Sequence, residues 1–147
     1  MIANAFTTAE LSFIETWMTR FLPDCNIRIE PSLSTYADFY TQTIYLLPTD
    51  NVDCFEYAFL HELRHFIQFK KGFIVAEGVD KLRDNNINWK YGSTIIKDMA
   101  VRGWHNNYHL LPWERDANAF AYHYTGYVYD KEYIETAMLY FPLESKV

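Results

Sequence analysis

Only two cysteines, five glycines and five prolines occur in 147 residues. So little cysteine excludes a disulfide scaffold, and a chain this long buries enough surface without a staple, so Cys25 and Cys54 read as two reduced, mostly buried thiols. No internal repeat, low-complexity tract or Gly/Ser linker breaks the chain, which points to one domain over residues 1–147. Long apolar runs are missing too: nothing approaches the roughly 18 residues that span a bilayer. The first residues lack the basic start and apolar stretch of a secretion signal, so a cytoplasmic protein is expected. Clustered positive charge is also absent. The formal net charge is −6 and, beyond Lys70 and Lys71, the basic residues are scattered. Phosphate backbones and anionic lipid surfaces are therefore poor partners, and neither a nucleic acid nor a membrane is expected. Aromatic residues, by contrast, are abundant at 18%. They supply a large buried area, and tyrosine hydroxyls can serve a cleft.

Periodicity outlines an α+β fold. Thr7-Thr8-Ala9-Glu10 has the form of a capping box, and Leu11, Ile14, Trp17, Met18 and Phe21 follow at helical spacing until Pro23. Between Asn26 and Pro48 the pattern alternates, predicting three short strands: Ile27–Ile29, Tyr36–Tyr40 and Thr43–Leu47. The last two form a hairpin around Thr41-Gln42. Phe55, Phe59, Leu63, Phe66 and Ile67 mark a second helix, closed by Lys70-Lys71-Gly72 with a basic last turn and a glycine cap. Residues 73–111 are punctuated by glycine and read as short mixed segments, with a helix around Ser93 to Val101. Pro112 then opens a helix that runs through Glu114 and Tyr124 to Gly126, and a C-terminal helix is expected from Asp130 to Tyr140.

The second helix carries His61-Glu62-Leu63-Arg64-His65, an H-E-x-x-H string. Histidines at i and i+4 direct two imidazoles toward one point, as a tetrahedral zinc site requires, and the glutamate beside the first can reach a water on the metal without binding the metal itself. In this composition the string is expected by chance only about 0.01 times. A catalytic zinc needs a third protein ligand and an open fourth position. The metzincin arrangement, with a histidine six residues past the motif, is excluded, because Gln68 and Lys71 occupy the diagnostic places. Glu114 is the candidate third ligand. Ala117 and Ala121 near its helix face would allow close approach, and Asn118, one turn on, could accept the second N–H of a ligating histidine. If Glu114 is not the ligand, His105 or His109 replaces it.

These residues resemble the gluzincin branch of the zincin metallopeptidases, in which H-E-x-x-H is followed by a helix carrying E-x-x-A-D or E-x-x-x-D. The likeness covers two helices, with Asn118 where an aspartate is commoner, and extends to small bacterial and phage members. It implies a minimal zincin-like fold: N-terminal helix, small three-stranded sheet, motif helix, glutamate helix and C-terminal helix. It also implies one Zn2+ per chain on His61, His65 and Glu114, with Glu62 as general base toward a zinc-bound water in peptide-bond hydrolysis. His105, Tyr108 or His109 would stabilise the oxyanion. The strand before the motif helix, Thr43–Leu47, would pair with an extended peptide substrate. The alternatives are a non-catalytic protein-interaction domain on the same scaffold and a hydrolase of a non-peptide amide.

Four residues have plainer readings. Asp116 reads as a first-turn complement to the helix dipole. Arg64 is solvent-facing or paired with a carboxylate. His123 faces away from the metal, and Cys54 lies too far along its helix to coordinate.

Overall fold

Thr7 starts the first helix as its side chain accepts from the Glu10 amide while the Glu10 carboxylate accepts from the Thr7 amide, at 3.0 and 2.7 Å. This closed capping box opens α1, Thr8–Phe21. The structure is a computed structural model that describes residues 6–48, 52–77, 88–91, 94–97 and 111–126. Ile14 is buried, and Trp17, Met18 and Phe21 pack against the core. Leu11, expected on the same stripe, is 45% exposed, so the buried face of α1 is narrower than its apolar spacing suggests.

Three strands follow as expected: β1 (Arg28–Pro31), β2 (Tyr36–Asp38) and β3 (Thr43–Leu46). β2 and β3 form the antiparallel hairpin. At its turn the Asp38 carboxylate accepts from the amides of Tyr40 and Thr41, and Gln42 takes a positive φ of 51°. β1 pairs parallel to β3, so the sheet order is β1-β3-β2. Ile44 and Leu46, fully buried on β3, join the core. The central place of β3 corrects one expectation: both of its edges are taken by its own neighbours, so Thr43–Leu46 has no edge to offer a peptide strand. Among the described residues, the outer edges of this sheet belong to β1 and β2.

The motif helix, α2, spans Val52–Lys70. It ends in a full Schellman motif: the Gly72 amide donates to Phe69 O and the Phe73 amide to Gln68 O, with Gly72 at φ 74°. β4 (Ile74–Glu77), β5 (Asn88–Tyr91) and β6 (Thr94–Lys97) then make a second antiparallel sheet, in the order β4-β5-β6. Here the sequence reading fails, since the helix expected around Ser93 to Val101 is a strand over Thr94–Lys97. Thr94, Ile95 and Ile96 form a β-favouring run, and pairing with β5 outweighs the helical spacing. The remainder of that segment and the C-terminal helix expected over Asp130–Tyr140 lie outside the described residues.

The last described helix, α3 (Pro112–Thr125), has proline in its first turn and Gly126 in the left-handed conformation at its end. It packs most extensively against α2, and the two run antiparallel: Tyr57 meets Asn118, His61 meets Glu114, Arg64 meets Asp116 and Gln68 meets Trp113. Ala117 and Ala121 are fully buried, as a close approach of helix backbones requires. Among the described residues no helix is long and apolar enough to cross a membrane.

Candidate metal centre

From Trp113 to Ala121 every residue of α3 except Arg115 is buried, including Glu114, Asp116 and Asn118. A helix buried on most sides holds polar groups only where each has a partner, and these three find theirs on α2.

Glu114 meets both motif histidines. Its Oε1 lies 3.0 Å from His61 Nε2 and its Oε2 lies 3.2 Å from His65 Nε2. The two imidazole Nε2 atoms are themselves 3.2 Å apart. Helical spacing brings the rings to one side, at 85° to each other with centroids 4.8 Å apart, and antiparallel packing brings the first turn of α3 opposite them. Three ligand atoms, one from each residue, fall within 4.8 Å of one another. Ligand atoms bound tetrahedrally at 2.0–2.1 Å would be separated by roughly 3.3–3.4 Å, close to the spacing of these nitrogens. The donor set and its spacing therefore fit a divalent cation such as zinc. The structure brings together His61, His65 and Glu114, the three residues expected from the sequence as ligands. Glu62 is half-buried, and its charge is felt at His65.

Charge within the cluster is strongly coupled. Burial alone pulls the His65 imidazole down, but the Glu114 carboxylate, with support from Glu62 and Gln68, outweighs it and raises His65 to about 9. Burial likewise pushes Glu114 up, and the two imidazoles override that, holding its carboxyl well below the usual range. His61 Nδ1 is buried and has no hydrogen-bond partner among the described residues.

Behind the histidines lies a polar network the sequence reading missed. His65 Nδ1 is 2.9 Å from Gln68 Oε1. Gln68 Nε2 donates to Trp113 O at 2.8 Å and to Asp116 Oδ2 at 3.0 Å. Asp116 also accepts from Arg64 through Nε at 2.7 Å and Nη2 at 3.1 Å, and from the Tyr91 hydroxyl on β5. Burial, then Asp116, push the Tyr91 hydroxyl far above its ordinary range. The Arg64 guanidinium stands 5.2 Å from the ring centroids of both Phe73 and Phe120. Arg64, Gln68 and Asp116 are all fully buried. Of the two readings of Arg64, pairing with a carboxylate holds; Asp116, read as a dipole complement, is the hub of a buried network. Arg64 and Gln68 stand one turn apart on α2, which was the available signal.

Asn118 also requires correction. Its Oδ1 accepts from the Tyr57 hydroxyl at 3.0 Å rather than from a ligating histidine. Tyr57 precedes His61 by one turn, and their rings lie 6.5 Å apart at 27°, so the phenol stands between Asn118 and the histidine. His105, Tyr108 and His109 lie outside the described residues. His123 is exposed, in keeping with a place away from the cluster, and Cys25 and Cys54 are each only partly buried. No family model, curated protein or solved structure matches the chain.

Proposed function

We propose that this chain is a zinc-dependent metallopeptidase. The observation that carries the reading is the convergence of His61 Nε2, His65 Nε2 and the Glu114 carboxylate at 3.0–3.2 Å, with Glu62 next in sequence to the first ligand. His61, His65 and Glu114 would hold one zinc ion per chain. When bound, zinc supplies Lewis acidity that activates a water near neutral pH and polarises a peptide carbonyl. Glu62 then accepts the proton of the attacking water and returns it to the leaving amine. With two imidazoles and one carboxylate, the ligand set carries a single negative charge, which leaves the cation electrophilic. The substrate in this reading is a peptide or protein.

The test is Glu62→Gln, assayed on a mixed peptide library for new N-termini. The variant is expected to keep its metal and lose about 10²–10⁴-fold in turnover. Hydrolysis equal to that of the unaltered protein would sink the assignment. Metal retention by a wild type that cleaves neither peptides nor simple amides would favour the non-catalytic interaction domain.

A further inference from the structure

Gln68 touches both a candidate metal ligand, His65, and the turn of α3 that carries another, Glu114. Its side-chain amide can sit in one orientation. The nitrogen faces a backbone carbonyl, Trp113 O at 2.8 Å, and a carboxylate oxygen, Asp116 Oδ2 at 3.0 Å. Both are acceptors, so both need N–H groups, and the amide has two. Turning it over would set its oxygen against two other oxygens in a site with no exposure to water. The amide oxygen is thereby committed to His65 Nδ1, 2.9 Å away. A carbonyl oxygen only accepts, so Nδ1 has to carry a proton; a bare Nδ1 would press two lone pairs together in a buried place. While no metal is bound, Glu114 Oε2, 3.2 Å from His65 Nε2, competes for the ring proton; a cation that takes the Nε2 lone pair ends that competition and leaves the proton to Nδ1.

We propose that Gln68 is a positioning residue that fixes His65 in the tautomer protonated at Nδ1, so that Nε2 presents its lone pair to the metal. This rests on the metal-centre reading above. It extends that reading by assigning the control of a ligand's tautomer to a neutral amide, which Asp116 and Trp113 hold in place. Neither the i, i+3 spacing of His65 and Gln68 nor the H-E-x-x-H string contains this role. The amide also bridges Trp113 and Asp116, on either side of Glu114, so one side chain orients one ligand and braces the turn that bears another. Partners of this kind are worth about 10–100-fold in metal affinity.

Two measurements test the proposal. The first is the 15N shift pattern of the His65 ring in wild type loaded with Zn2+, where a ligating ring is neutral and Glu114 no longer competes for its proton. The second is competition for Zn2+ between a chelating dye and either wild type or Gln68→Met, which keeps bulk but accepts no comparable hydrogen bond. The expected results are a protonated Nδ1 with the metal on Nε2 in Zn2+-loaded wild type, and about 10–100-fold weaker Zn2+ affinity in the variant. A proton on Nε2 in Zn2+-loaded wild type, or an unchanged affinity in a folded Gln68→Met, overturns the proposal. Should that variant fail to fold, the wild-type ring spectrum decides alone. No Zn2+ uptake by wild type, whatever its tautomer, overturns the metal-centre reading itself and the role of Gln68 with it.

Discussion

Arg64 and Asp116 face each other at the centre of the α2–α3 interface, both at 0% exposure, joined by paired contacts of 2.7 and 3.1 Å. A buried ion pair contributes little over a well-packed apolar pair, because both ions lose their hydration, but removing one partner strands the other. Asp116→Ala should therefore destabilise the protein by about 3–5 kcal/mol, and Arg64→Met by a similar amount. The double variant Arg64→Met/Asp116→Leu should lose less than the sum of the two single changes. Urea unfolding measures all three; additive losses would mean that the pair is not coupled.

Proton competition governs the metal site. His65 is raised from an ordinary 6.5 to about 9, so at neutral pH a cation has to displace its proton. Apparent Zn2+ affinity should rise with pH by up to about tenfold per unit and level off above about 9. Stability of the metal-free protein should move the other way. A raised imidazole stabilises the fold fully below 6.5, and that contribution disappears as pH climbs through about 9. The depressed Glu114 carboxyl contributes above its ordinary 4.5 and is lost as pH falls through its folded value. Melting curves with and without chelator should diverge most on the alkaline side. A chelator effect independent of pH would contradict the coupling.

Gly72 closes α2 at φ 74°, with open space around the position where a Cβ would stand. Gly72→Ala meets no clash, so its cost is backbone strain alone, about 1–2 kcal/mol. Because the turn leads from the metal helix into β4, the same variant should keep its metal. Thermal unfolding and metal content check the two halves of this expectation; loss of metal at a small stability cost would show that the cap also positions the ligands.

How much of this was legible in the sequence depended on the range of the interaction. The capping box at Thr7, the glycine cap at Gly72 and the i, i+4 pair His61 and His65 are local, and residue order alone predicts them. Glu114 required one long-range guess, helped by a proline that fixed where its helix starts. The roles of Gln68, Arg64 and Asp116 depend on which faces of α2 and α3 meet, and periodicity does not supply that register. Asn118 shows the same limit: an amide one turn from Glu114 could serve a histidine, yet Tyr57 projects far enough from α2 to reach it first. The second sheet was hidden by glycine punctuation and by an apolar run that fits helix or strand, a choice made by the neighbouring strand β5.

The most direct measurement is the metal content of the purified protein by elemental mass spectrometry, beside His61→Ala and Glu114→Ala. One zinc per chain, lost in both variants, is the predicted result. Zinc retained by Glu114→Ala would contradict the three-ligand centre, and a wild type that takes up no zinc even after reconstitution would contradict the metal site altogether.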